Sequence, residues 1–532
     1  MIGLHVRQVL GNPAYYGPIG SKWVSSAMTS LAEIINNTKP IKVSQVTGSP
    51  SRKTLEGIDQ LLVVLPARIP AALWRKVPQR NKTQALMRRA IPGRTPAAVT
   101  RLNNKRQTAV LVGRIDARAE AFDRLTFARK LVAATAGEKA GVLGILVLGF
   151  ENDIHDTLVS DLTAAALATA CPMPEYKNKT SPARIRSIRI LGAPGRVNLD
   201  RTLAEAEGNN IARVLTALPA NKLDAKSYAD LIKDMAQQEG WQYKRFGVSD
   251  LKKMGAGAFL AVAQGNADDS AAIIRIRYRP GARVTRPELS LVGKGIIFDT
   301  GGTNLKPFNS MLDMHIDMGG SAVVIGNLVA LTRLKVDKPV DAWLAITENR
   351  TGPTAYKSQD VVTAINGKTI QTIHTDAEGR MALADALILA AEDQPKVIVD
   401  YATLTGACMN AVTTKYSGVF TNRPDLHPIL KKSGRESGER VWPFPIGDEF
   451  LEELKSDTAD IAQCAPNGGA DHILAATFLN QFVDKRCAWI HVDLSSISRK
   501  GGLAHIPSQI TGFGVRFSMN LLLDENITDN SG

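Results

Sequence analysis

The chain has 532 residues, 44% of them apolar and 22% charged, with a formal charge of +14 and four cysteines. Its length exceeds what one hydrophobic core organises, so two or three domains are expected. The cysteines (171, 408, 464 and 487) form no CxxC pair, which excludes a disulfide framework and a thiolate zinc site and fits a reducing cytosol.

In chain order, residues 1–30 contain Arg7 and Lys22 but no acid, a weak likeness to an organellar transit peptide. No secretory signal and no run of about 18 apolar residues is seen, so a cytoplasmic protein without a membrane span is expected. Apolar runs at 61–65, 109–112, 142–148 and 185–191 alternate with helical patterns at 120–134 and 156–169. That alternation reads as an α/β domain with a largely parallel sheet. Residues 192–198, with Pro194 and Gly195, mark the boundary, giving domains at 1–195 and 196–532.

The basic surplus belongs to the first part: residues 1–200 hold 29 Lys and Arg against 13 Asp and Glu. Doublets at Arg75-Lys76, Arg88-Arg89 and Lys105-Arg106 could attract phosphate backbones. A nucleic-acid-binding or regulatory protein is therefore the alternative function, set against a solvated basic face.

A helix is expected over 199–217, closed by Pro219. The second domain repeats the α/β logic, with strands at 258–263, 271–278, 289–298, 342–347, 396–401 and 489–494 and helices at 322–334, 382–392 and 473–483. The polar tail 524–532 reads as frayed.

Chemistry concentrates between residues 294 and 380. Asp299 ends an apolar strand and runs into Thr300-Gly301-Gly302, where open α/β sheets place their sites. Asp317 precedes the small residues Gly319-Gly320-Ser321-Ala322, and is preferred over Asp313 as the acid that reaches the site. In Asp376-Ala377-Glu378 an extended loop would aim both acids, and then Arg380, the same way. Carboxylates so gathered repel unless cations lie between them, and two divalent ions resolve that repulsion. Oxygen ligands admit Zn²⁺, Mn²⁺ or Mg²⁺. Lys294, within an apolar strand, is expected to have a depressed pKa and to ligate as a neutral amine. Lys306 and Arg380 remain as cations for a polarised carbonyl or an anionic base.

These residues resemble the leucyl (cytosol) aminopeptidases, a family of dinuclear metallopeptidases, over about residues 199–517. The resemblance is carried by Val292-Gly293-Lys294-Gly295-Ile296-Ile297-Phe298-Asp299-Thr300-Gly301-Gly302, Leu305-Lys306-Pro307, Asp317-Met318-Gly319-Gly320, Thr375-Asp376-Ala377-Glu378-Gly379-Arg380 and Ala402-Thr403-Leu404-Thr405-Gly406-Ala407. It implies a C-terminal α/β/α peptidase domain with a mixed central sheet, and removal of leucine or another apolar residue from the N-terminus of peptides. It also implies one metal on Lys294, Asp299, Asp317 and Glu378 and another on Asp299, Asp376 and Glu378, with the substrate's α-amine on a metal. Lys306 would stabilise the oxyanion, and Arg380 would position a bicarbonate-like base. Backbone groups of Thr403, Leu404 and Gly406 would bind the substrate main chain, Met314 would line the first side-chain pocket, and subunits would form a homohexamer. The chain departs from the family pattern at His374, Thr300 and Met381, at Ser358-Gln359-Asp360 and over residues 410–416. His374, beside the site, is an added hydrogen-bonding group or a tolerated loop variant.

Overall fold

The computed structural model describes residues 31–91, 93–135, 141–178, 185–281 and 286–530. The expectation for residues 1–30 lies outside them. Two large sheets are present. The first has six strands in the order Lys42–Thr47, Ile185–Ala193, Gly141–Val147, Gln60–Pro66, Ala109–Ile115 and Ala98–Arg101. All neighbours are parallel except the last, antiparallel pair. Its central strands are buried on both faces, which is why they read as unbroken apolar runs. Helices Ala121–Ala133 and Asn152–Ala170 cover one face through Leu131, Leu158 and Leu162. The edge strands Lys42–Thr47 and Ala98–Arg101 escape sequence reading because exposure makes half or more of their residues polar.

The second sheet has eight strands in the order Val441–Pro443, Ser417–Thr421, Ala488–Asp493, Val397–Ala402, Leu289–Asp299, Val340–Asn349, Ala272–Tyr278 and Gln242–Gly247. The middle four are parallel, and antiparallel pairings toward both edges make the sheet mixed. Helices Asp200–Ala217, Ala225–Glu239 and Gly319–Arg333 pack on one face, and Glu378–Glu392, Gly257–Ala263 and Asp471–Asn480 on the other. This is the expected α/β/α arrangement in a two-domain layout. The stretch Met314–Arg333 is apolar and long enough to cross a membrane, but 83% of its apolar window is buried inside the protein, as befits a core helix.

Three expectations are corrected. The segment expected as a strand at 258–263 is the helix Gly257–Ala263. Six apolar residues carry no period of their own, and the helix is fixed by a distant group, the Asp385 carboxylate, which accepts from the Phe259 amide at 2.9 Å. The tail is not frayed over its described part: Ile527 and Thr528 are buried, and Lys338 donates to Thr528 Oγ1 at 2.6 Å. Residues 374–377 are not extended but form a turn, closed by Ala377 N donating to His374 O at 3.0 Å, and a helix starts at Glu378.

The approach of helix Gly319–Arg333 to the sheet depends on glycines. A Cβ on Gly293 would lie 2.6 Å from Ser321 Cα, and one on Gly320 would lie 2.0 Å from the Tyr401 carbonyl oxygen. Without side chains there, backbone meets backbone, and Asp317 is brought over the ends of the parallel strands.

Candidate active site

Four parallel strands deliver their carboxyl ends to one place. Asp299 ends the strand Leu289–Asp299 and Asn349 ends Val340–Asn349, while Thr403 follows Val397–Ala402 and Asp493 ends Ala488–Asp493. Glu378 opens its helix, and Asp317 sits in the 3₁₀ turn Met314–Met318. Asp317 is buried and Asp313 exposed.

Two lysines divide the acids. Lys294 Nζ lies 2.8 Å from Asp317 Oδ2, 2.8 Å from Glu378 Oε1 and 2.9 Å from the Thr403 carbonyl oxygen. Lys306 Nζ lies 2.8 Å from Asp299 Oδ2 and also pairs with Asp376. Oxygens of Asp299, Asp376 and Glu378 lie within 4.8 Å of one another. The loop after Asp299 makes this possible: Gly301, at φ +87°, turns its amide onto Asp299 Oδ1 at 2.8 Å. Asn304 and Thr375 then tie that loop to the 374–377 turn, Thr375 N donating to Asn304 Oδ1 and Asn304 N to Thr375 Oγ1, both at 2.8 Å.

Electrostatics show what the cluster lacks. Burial first, and then the neighbouring acids, push Asp317 up to about 8 against the pull of Lys294 and Asp376 up to about 6, and raise Glu378 in the same direction. These shifts persist although two ammonium groups sit among the acids. Four carboxylates against two lysines leave negative charge uncompensated in a buried place, and oxygen donors at this spacing fit divalent cations. Burial lowers the Lys294 pKa, but Asp317, Glu378 and Asp299 together outweigh it, so the amine is held above its usual value as an ammonium ion.

Arg380 is buried in the first turn of Glu378–Glu392. Its Nη2 donates to Asp471 Oδ1 at 2.8 Å and Oδ2 at 2.7 Å, and its Nη1 to the Gln463 carbonyl at 3.3 Å. Gln463 also braces the turn before the helix, accepting from the amides of Ile373 and His374 at 3.1 Å and donating to the Ala377 carbonyl at 3.0 Å. His374 accepts through Nδ1 from the Asp376 amide at 3.3 Å. Its imidazole pKa is lowered by partial burial and then by Lys306.

Met314 and Leu404 are half-buried and Gly406 is exposed. The loop carrying Thr403 and Leu404 is fixed by a residue that sequence reading did not find: Asp493 accepts from Thr405 Oγ1 at 2.7 Å and from the Leu404 amide at 3.3 Å. Asn349 was also missed. Its amide donates to Asp299 Oδ1 at 2.8 Å and to the Thr375 carbonyl at 3.0 Å, with Glu378 Oε2 at 3.5 Å. A polar residue ending an apolar strand beside Leu289–Asp299 is the signal that could have found it.

Of the basic residues in the first domain, several have structural partners. Arg106 pairs with Asp59 at 2.6 Å, Arg124 with Asp161 at 2.9 Å, and Arg129 donates to the Ala504 carbonyl at 2.8 Å. Arg75, Lys76, Arg88 and Arg89 are exposed.

Residues 210–519 match the family described as "Cytosol aminopeptidase family, catalytic domain". The chain belongs to the cytosol aminopeptidase family. It is 37% identical over 424 residues to a probable cytosol aminopeptidase of Prochlorococcus marinus, covering 77% of this chain and 84% of that one. It is 34% identical over 478 residues to a probable cytosol aminopeptidase of Synechococcus sp., covering 87% and 96%. Among solved structures it is similar to the bottromycin maturation enzyme BotP in complex with Mn, with TM-score 0.74, 27% identity, and 89% of this chain and 100% of that chain covered. The leucyl aminopeptidase from Trypanosoma brucei in complex with bestatin shares the fold, with TM-score 0.79, 24% identity, and 93% and 98% covered. As a cytosol aminopeptidase, the protein is a peptidase whose carboxylate cluster fits a metal site.

Proposed function

We propose that this cytosol aminopeptidase removes leucine or another apolar residue from the N-terminus of peptides with two divalent ions, Zn²⁺ or Mn²⁺ and less readily Mg²⁺. The observation that carries this reading is the convergence of Asp299, Asp376 and Glu378 within 4.8 Å, flanked by Lys294 with Asp317 on one side and Lys306 on the other. Lys294, Asp299, Asp317 and Glu378 would hold one ion, and Asp299, Asp376 and Glu378 the other. Bound ions supply Lewis acidity, which makes a water nucleophilic at neutral pH. Lys294 must shed its proton to ligate, and the carboxylates that hold it protonated are the charges that cations would neutralise.

Lys306 stays an ammonium ion beside Asp299 and Asp376, placed to meet negative charge developing on the scissile carbonyl oxygen. Arg380 holds the anion that serves as base. Backbone groups of Thr403, Leu404 and Gly406 receive the substrate main chain, on a loop that Asp493 keeps in register, and Met314 borders the first side-chain pocket. The peptidase domain is assigned to 196–532 and the basic α/β domain to 1–195. Family likeness supports a homohexamer in the cytosol.

Hydrolysis of leucine anilide by purified protein with Mn²⁺ or Zn²⁺, beside N-acetyl-leucine anilide, tests the reading. A site that binds the free amine is expected to turn over the blocked substrate on the order of 10⁴-fold more slowly. Equal turnover of the two would overturn the reading.

A further inference from the structure

Tyr356 lies in the loop between the strands Val340–Asn349 and Val361–Thr363 and is 1% exposed. Its ring belongs to the apolar core that also holds Ile370 and Met381. Phenylalanine would fill that place as well, and burying a hydroxyl costs free energy unless it is paired, so the hydroxyl has a purpose apart from the ring. It donates to the Thr375 carbonyl oxygen at 2.8 Å. The Asn349 side-chain amide donates to the same oxygen at 3.0 Å, so both of its lone pairs are taken.

Thr375 O and Asp376 N belong to one planar peptide group. At the other end of that plane the Asp376 amide donates to His374 Nδ1 at 3.3 Å. Two donors on the oxygen keep the plane from turning, and the plane sets the direction in which the Asp376 side chain leaves the backbone. Tyr356 is anchored in its turn: its carbonyl accepts from Thr303 Oγ1 at 3.1 Å, in the loop that follows Asp299. It therefore joins the two segments that carry Asp299 and Asp376, whose oxygens lie within 4.8 Å of one another and of Glu378. Asp317, on Lys294, is oriented by a different hydroxyl, Thr403 Oγ1 donating to Asp317 Oδ1 at 2.7 Å.

We propose that Tyr356 is a positioning residue for one of the two ions, the one assigned to Asp299, Asp376 and Glu378: its hydroxyl fixes the Thr375–Asp376 peptide and so presents the Asp376 carboxylate at ligand distance. Metal sites tolerate about 0.2 Å in their ligand distances, so a peptide free to rock on one hydrogen bond loosens the ion it serves. The ion assigned to Lys294 and Asp317 keeps its own support in Thr403. This inference rests on the aminopeptidase reading above and adds a residue outside the ligand set that separates the two ions in affinity.

The test is calorimetric titration of the metal-free full chain with Mn²⁺, with melting in EDTA and leucine anilide hydrolysis alongside. Tyr356→Phe keeps the ring, and Thr375 O keeps its bond from Asn349, so no buried acceptor is stranded and the melting temperature in EDTA should match wild type. One of the two binding steps should weaken about tenfold or more while the other keeps its wild-type affinity, and excess Mn²⁺ should restore kcat. Thr403→Val, which strips the hydroxyl from Asp317, should weaken the other step. Wild-type affinity for both ions in Tyr356→Phe, equal weakening of both steps, or weakening of the same step in both variants would overturn the inference. So would a deficit in kcat that excess Mn²⁺ leaves in place. A wild-type chain that takes up fewer than two ions would instead overturn the two-ion reading on which the inference rests.

Discussion

Glu378→Gln is expected to abolish most activity while leaving the fold intact or firmer. Glu378 is 2% exposed, its Oε1 meets Lys294 at 2.8 Å, and it also belongs to the oxygen group formed with Asp299 and Asp376. It is thus the acid that links the two lysine-centred halves of the cluster. Glutamine keeps the volume but removes the charge both halves share. A loss in kcat/KM on the order of 10³-fold is expected, about 4 kcal/mol of transition-state stabilisation. Stability should move the other way. Burial, then Asp299, raises the Glu378 pKa in the folded protein, so the stability this group contributes is present below its unfolded pKa and is lost as pH rises through the folded value. At neutral pH its charge therefore costs stability, and in chelator the glutamine variant should melt no lower than wild type. Steady-state kinetics with scanning calorimetry in EDTA checks both halves; a variant that melts lower and keeps its rate would show a structural rather than catalytic acid.

The largest stability effect is expected at a residue with no chemistry. In Gly320→Ala the new Cβ would stand 2.0 Å from the Tyr401 carbonyl oxygen, 2.8 Å from its carbonyl carbon and 3.0 Å from Lys294 N. All three are backbone atoms, so no rotamer change relieves the contact and helix Gly319–Arg333 must lift from the sheet. Overpacking of this kind costs about 1–3 kcal/mol or more, and at about 2–4 °C per kcal/mol the melting temperature should fall by about 5–10 °C. Activity should fall with it, because Asp317 lies just before that helix and Thr403 two residues after Tyr401. Gly281→Ala, where a Cβ would meet nothing within 4 Å among the described residues, is the control and should shift stability by less than about 0.5 kcal/mol.

These two positions show what sequence can and cannot convey. The buried parallel strands are legible because burial on both faces leaves nothing but apolar residues in runs such as Leu61–Val64, all fully buried. The place of Asp299 is legible because an apolar run that meets a carboxylate and then Gly301-Gly302 marks the end of a buried strand, and it stands out only in company with Asp317, Asp376 and Glu378. The helix Gly257–Ala263 is not legible, because its conformation is fixed by Asp385, more than a hundred residues away, rather than by its own pattern. Asn349, Asp493 and Asp471 escape for a related reason. Each acts through strand register or helix packing that brings it to Asp299, the Leu404 loop or Arg380. The protonation of Lys294 depends on a contest between burial and three acids, and only distances decide it.

The central claim, that four acids and Lys294 hold two cations, is tested most directly by calorimetric titration of the metal-free protein with Mn²⁺, with leucine anilide hydrolysis followed at each addition. The account predicts two ions bound per chain in wild type, activity that develops as the second is taken up, and fewer than two in Glu378→Gln. Uptake of one ion or none by a folded wild-type chain, or full activity in the presence of chelator, would contradict it.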